Sequence, residues 1–180
     1  VAQLRFLAAL GGDRPNALFF AGDLGQRIFR TPFSWKSLGV DVRGRSRTLR
    51  INYRTSHQIR RQADRLLPSV IADVDGNAED RSGAVSVFTG PDPEVQTFND
   101  AQDEGAAVGA WLSDVLSRGV EPHETAVFVR SEPQIPRAKE AVGAAGLEAT
   151  LPKGGLDPEE GKVVVMPMHS AKGLEFRAVA

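Results

Sequence analysis

The sequence predicts an α/β fold in which helices flank a mainly parallel sheet. Three observations carry that expectation. Strand-like and helix-like segments alternate along the chain. TAVFVR (125–130) and KVVVMPM (162–168) are apolar almost throughout rather than alternating, as strands buried on both faces are. The most unusual polar residues sit just after strand-like runs, at 22–30, 52–56 and 169–175, where open α/β sheets bind their ligands.

Taken in order, AQLRFLAAL (2–10) places Leu4, Leu7, Ala8 and Leu10 on one face of a short helix that Gly11-Gly12 ends. ALFFAG (17–22) reads as a short buried strand, followed by a polar turn and a helical start near Gln26–Arg30. Residues 31–46 are loop-like, and TLRIN (48–52) alternates as a strand does. Thr55 or Ser56 can cap a helix to about Leu67, which Pro68 closes. DVDGNAEDRSG (73–83) reads as an acidic surface loop. AVSVF (84–88) and VQTF (95–98) read as strands joined through Gly-Pro. Asp100 caps a helix over about 102–117, and residues 134–145 form a second one ended near Gly146. Residues 152–161 are Pro, Gly and acidic loop, and HSAKGLEF (169–176) is the loop at the carboxyl end of the last buried strand.

Composition narrows the function classes. At 180 residues there is room for one ordinary core, or for one domain and part of another. Cysteine is absent, which excludes disulfides, thiol catalysis and cysteine-bound metal. The three histidines, at 57, 123 and 169, are scattered, and no metal site is expected. No apolar run approaches the roughly 20 residues that span a bilayer, so no membrane partner is expected and nothing points away from the cytoplasm. The net charge of −1 hides a polarised chain, because residues 1–65 carry 13 Lys/Arg against 4 Asp/Glu and residues 66–180 carry 9 against 19. A basic front segment suggests a polyanion partner, with pairing of the two halves to each other as the alternative. Val1 lies inside an amphipathic stretch and Ala180 follows an apolar run, so the chain is expected to be a piece of a longer protein, cut at both ends.

Three constellations can do chemistry. In GDLGQRIF (22–29), Asp23 caps a turn and Gln26 either is merely solvated or donates to a phosphate oxygen and orients a water. In LRINYRTSHQI (49–59), Tyr53 offers a ring that stacks on a base, and Arg54 a planar donor for phosphate or for a surface carboxylate. In PMHSAKGLEF (167–176), His169, Ser170 and Lys172 put donors on one loop, with Glu175 as an acceptor for a sugar hydroxyl. His169 alone reads equally as a structural hydrogen-bonder.

In that order, GDxxQxIF, NYRT/S and HSxKGLEF resemble the third, fourth and fifth motifs of the UvrD/Rep group of superfamily 1 DNA helicases. AVFVRSEPQIPRAKEAVGAAGL (126–147) resembles a strand–helix unit of that group's second motor domain, so the likeness covers nearly the whole chain. The resemblance implies an ATP-driven motor that moves along single-stranded DNA and separates duplexes. It implies RecA-like architecture of the P-loop NTPase type, with 1–40 the end of the first motor domain and 41–180 most of the second, cut before the last motif. It implies that Gln26 senses the γ-phosphate, Tyr53 stacks on adenine, and Arg54 reaches the γ-phosphate as an arginine finger, with Glu175 near the ribose and phosphates. Gln26 and Arg54 are then the catalytic candidates. His169 and Ser170 would face the DNA strand. RNA stands beside DNA as a track, since stacking and backbone contacts accept either sugar.

Three departures from the family pattern matter. The aromatic–arginine pair that grips DNA bases is matched here by Trp35-Lys36 if four residues are inserted, with Phe33 as rival. Pro167 stands where the family has a threonine, which removes a hydroxyl and an N–H. Only about sixteen residues, Gly146 to Gly161, separate the 134–145 helix from the strand that leads into the fifth motif, too few for the accessory subdomain of large members. No GxxxxGK[ST] phosphate loop and no acidic magnesium motif occurs in the chain. ATP with Mg2+ is therefore expected to need the remainder of a helicase chain as partner, and this polypeptide alone is expected neither to hold ATP tightly nor to hydrolyse it. The rival expectation is a helicase-like module that binds single strands or a protein without hydrolysis.

Overall fold

Helix α1 (Ala2–Gly11) opens the chain where the apolar spacing predicts it, and Gly11 is buried against the Leu18 side chain. The computed structural model describes residues 2–12, 14–22, 34–42, 44–45, 47–72, 75–76, 78–81, 83–152 and 159–180. They divide into two units, Val1–Glu94 and Val95–Ala180. The boundary expected near residue 40 falls inside the first of these.

In the first unit, strand β1 (Ile51–Ser56) runs straight into α2 (His57–Asp64). Ser56 caps that helix, its hydroxyl accepting from the Ile59 N–H at 3.3 Å. The chain then forms β2 (Val70–Ala72) and β3 (Ala78–Asp80), an antiparallel pair, before β4 (Val85–Phe88) returns parallel to β1. The chain behind β4 passes close to Ser56, where glycine fits with least crowding. A Cβ on Gly90 would lie 3.2 Å from the Ser56 Cβ, and the Gly90 N–H donates to the Gln58 side chain at 2.9 Å.

The second unit is a four-stranded, all-parallel sheet in the order β6-β7-β5-β8. Its strands are β5 (Thr125–Val129), β6 (Glu148–Thr150), β7 (Lys162–Pro167) and β8 (Ala178–Val179). Helices α3 (Ala101–Ser117) and α4 (Ile135–Ala144) lie on one face, and α4 is the crossover from β5 to β6. Asp100 caps α3 by accepting from the Gln102 and Asp103 N–H groups, both at 2.9 Å. The two helices approach closely at Gly109, where a Cβ would sit 3.3 Å from the Ala141 carbonyl oxygen. The core on this face joins Leu112 to Ala138, Val142, Val127, Val163 and Val165. On the opposite face, Ala126, Val164 and Met166 are covered by Phe128, Ala171, Leu174 and Phe176.

The α/β class is as the sequence predicts, with parallel strands in two small sheets flanked by helices. Local differences have physical reasons. Residues 17–22 run as irregular backbone with Phe19 92% exposed, because no described strand pairs with them. The alternating TLRIN pairs only from Ile51 onward. VQTF does not pair at all. It follows Pro91 and Pro93, which offer no N–H to a ladder, and it lies where one unit gives way to the other. The acidic 73–83 stretch contains part of a hairpin. Its signal was Asp75-Gly76, with Gly76 at φ +80°. Strand β6 was too short, at three residues, to register as a pattern. Among the described residues no helix is long and apolar enough to cross a membrane.

Leu112 is fully buried at the centre of the helix-side core. Leu112→Ala is expected to destabilise the chain by about 2–5 kcal/mol, read from the midpoint of urea unfolding.

Candidate functional site

The Tyr53-Arg54 pair owes its position to an irregularity in β1. Ile51 and Asn52 pair with Val85 and Ser86, but the next matched position is Ser56 with Phe88. Tyr53, Arg54 and Thr55 therefore oppose the single residue Val87, and the strand bulges. Backbone groups at a bulge lose their ladder partners, and here the Asn52 side chain replaces them. Its Oδ1 accepts from the Arg54 N–H at 2.8 Å and the Thr55 N–H at 3.3 Å, while its amide donates to the Thr55 hydroxyl at 2.6 Å. The bulge leaves Tyr53 67% exposed, with Arg54 exposed beside it. An aromatic face and a guanidinium on consecutive exposed residues at a bulge within a parallel strand can stack on a base and pair with phosphate. Asn52 is not among the candidates that the sequence singles out. The signal was its place before two exposed functional side chains, where asparagine commonly builds a local turn.

In the second unit, the segment after β7 is sorted by its own alternation. Ala171, Leu174 and Phe176 pack on the sheet, Phe176 edge-on to Phe128 with ring centres 5.8 Å apart. His169, Ser170, Lys172 and Glu175 are left exposed. Gly173 takes φ +91°, the left-handed backbone that turns the chain between Ala171 and Leu174. Pro167 ends β7 opposite Val129, a place where a missing N–H costs the ladder least. Ser170 also lines a shallow cleft of about 190 Å³ with Glu132, Ile135, Leu151, Pro152 and Pro167.

Trp35 and Lys36 open a short turn, with a single 3-10 helix over Lys36–Leu38. The Trp35 ring is half-buried, 4.9 Å from the Phe20 ring and tilted by 49°, while Lys36 is exposed. Asp75 binds this turn through the Ser34 hydroxyl and the Trp35 and Lys36 N–H groups. The Ser34 hydrogen bond, supported by both amides, holds the Asp75 carboxyl below its usual value. Gln26, the Phe29-Arg30 pair and Phe33 lie outside the described residues.

The basic front segment does not form one stripe. Arg60 pairs with Asp64 at 3.1 Å and donates to the Arg81 carbonyl at 3.1 Å. Arg61 pairs with Asp92 at 3.1 Å, and Arg65 donates to the Gln62 side chain at 2.8 Å. Among the described residues no group of three or more His, Asp or Glu side chains gathers to hold a metal ion.

Asn52→Ala leaves the Arg54 and Thr55 N–H groups without their acceptor. Hydrogen exchange at those two amides is expected to speed up by about tenfold, an opening made easier by roughly 1–2 kcal/mol. Asn52→Asp keeps the acceptor and is expected to keep the protection.

Compared with family models, curated proteins and solved structures, this chain has no match.

Proposed function

We propose that this chain is part of an ATP-dependent DNA helicase or translocase of the UvrD/Rep superfamily 1 type, with RecA-like architecture. In this reading 1–40 ends the first motor domain and 41–180 forms most of the second. The observation that carries it is the β1 bulge, which leaves the consecutive residues Tyr53 and Arg54 exposed. A nucleotide offers a base and a phosphate chain to such a pair. Tyr53 would stack on adenine. Arg54 would neutralise charge that grows on the γ-phosphoryl oxygens as the bond to the leaving oxygen breaks. Gln26 would orient the attacking water. ATP is the substrate and Mg2+ its companion, both held chiefly by the remainder of the helicase chain. Glu175, exposed after Gly173, would accept from the ribose. The exposed His169 and Ser170 in the second unit, and Trp35 and Lys36 in the first, would contact single-stranded DNA, or RNA through the same chemistry. The sorting of the 169–176 loop into packed apolar and exposed polar residues supports that assignment.

In the longer polypeptide that this reading requires, Arg54→Ala is expected to lower ATP turnover by about 10³ or more while leaving nucleotide affinity within about tenfold, because a finger acts on transition-state charge. Equal loss of binding and turnover would make Arg54 a ground-state contact. Absence of turnover in the unmutated polypeptide would favour a helicase-like module that binds without hydrolysis.

Trp35→Ala is expected to weaken single-strand affinity by about one to two decades with an unchanged salt slope, since stacking involves no phosphate charge. Anisotropy titrations at several salt concentrations measure both. A lowered melting temperature with intact affinity would make Trp35, packed on Phe20, a core residue and pass the DNA role to Phe33.

A further inference from the structure

The acidic stretch at 73–83 sends one of its carboxylates to a distant part of the first unit. Asp75 accepts hydrogen bonds from the Ser34 hydroxyl and the Trp35 N–H, and a longer one from the Lys36 N–H at 3.3 Å. The first N–H groups of a helical turn have no acceptor inside the turn. The rest of this turn closes on itself. Leu38 and Val40 N–H groups donate to the Trp35 carbonyl at 3.0 Å, and the Gly39 N–H to the Lys36 carbonyl at 3.1 Å. Ser37 and Ser34 exchange two further bonds, at 3.0 and 2.8 Å. The carboxyl-terminal side of the turn is therefore satisfied locally, while its amino-terminal side depends on Asp75. Asp75 in turn sits in the connection of the β2–β3 hairpin, whose register is set by Val70 opposite Asp80 and Ala72 opposite Ala78.

We propose that Asp75 is the positioning residue of the Trp35–Lys36 turn: the hairpin holds out a carboxylate that fixes the ring and the ammonium offered to a nucleic-acid strand. The strand half of this proposal rests on the reading given under Proposed function, and the positioning half on geometry alone.

Charge and position act with opposite signs here. Lys36 is a charged side chain that acts on Asp75. A carboxylate next to a lysine at a DNA contact repels phosphate, so if charge were its whole effect, removing it would tighten binding. If Asp75 positions the turn, removing it weakens binding. The folded-state value of Asp75 is depressed, so the hold it exerts is present above the ordinary carboxylate range and is lost as pH falls through the depressed value.

The test uses the 180-residue chain carrying Trp111→Phe, which leaves Trp35 as its one tryptophan. It is compared with the same chain bearing Asp75→Asn or Asp75→Ala. Trp35 emission and acrylamide quenching report the turn. Anisotropy of a labelled oligothymidylate of about 16 nucleotides reports affinity. In both variants emission is expected to move to the red and quenching to rise, and affinity is expected to fall about threefold to thirtyfold, a partial loss of one stacked base. The unsubstituted Asp75 chain is expected to show an emission transition at acid pH, below the ordinary aspartate value, that Asp75→Asn lacks. Unchanged emission in both variants, or no such transition, overturns the positioning role. Shifted emission with equal or tighter binding overturns the strand half and leaves Asp75 acting by charge. Failure of the unsubstituted chain to bind the oligonucleotide overturns the DNA reading, and the emission transition still decides whether Asp75 holds the turn.

Discussion

Val163, Val164 and Val165 are each fully buried, although successive residues of a strand point to opposite faces. That is possible only where both faces of β7 are covered, and this double burial organises the second unit. Helices α3 and α4 supply one cover through Leu112, Ala138 and Val142. The other cover has no α-helix among the described residues. It is the chain just after β7, folded back so that Ala171, Leu174 and Phe176 close over Ala126, Val164 and Met166. The loop that carries the candidate polar residues is therefore also a structural lid on the sheet. Burying its apolar residues is what holds His169, Ser170, Lys172 and Glu175 at the surface. A substitution at Leu174 or Phe176 alters none of those side chains, yet it loosens the packing that places them.

The first unit uses a different device for the same end. Its parallel sheet, β1 and β4, has two strands among the described residues, too few to give a rigid platform by burial alone. Side-chain hydrogen bonds to backbone do the positioning instead. Asn52 satisfies the bulge that displays Tyr53 and Arg54, Ser56 caps α2 directly after it, and Asp75 ties down the turn of Trp35 and Lys36. Each of these polar residues acts on a neighbour's backbone, which is why each is short: asparagine, serine and aspartate reach a nearby N–H with little side-chain entropy to lose.

The difference between the units also explains what was legible in the sequence. Helices α3 and α4 and strands β5 and β7 follow from apolar patterning and caps, because their stability comes from burial, which composition records. Asp100 was readable as a cap, and Ser56 as one of two candidates with Thr55. The bulge was not, since register depends on which strand pairs with which. The same limit hid the β2–β3 hairpin inside an acidic stretch and gave ALFFAG and VQTF the look of strands they do not form. Tyr53, Arg54, His169, Ser170 and Glu175 were legible as candidates from motif order, and the structure leaves all five exposed. Asn52 and Asp75 were not, because what they do is visible only in the partners they reach.

The arginines show why charge counting alone misleads. A front segment with 13 basic residues against 4 acidic ones looks like a polyanion footprint. Yet the Arg60 side chain is only 13% exposed and is committed to Asp64 and to a backbone carbonyl. Arg61 reaches Asp92, and Arg65 reaches Gln62. An exposed pair such as Arg61–Asp92 adds little stability, but it lowers the field that a strand would feel over that helix. Long-range attraction remains a property of the segment's net charge, whereas a specific grip needs donors and rings fixed in place. Those are found where a side chain or a packed loop holds the backbone: at the bulge beside Asn52, at the turn beside Asp75, and on the loop pinned by Leu174 and Phe176. Under the proposed function, attraction would come from the net charge of the basic segment and recognition from these three short, anchored segments.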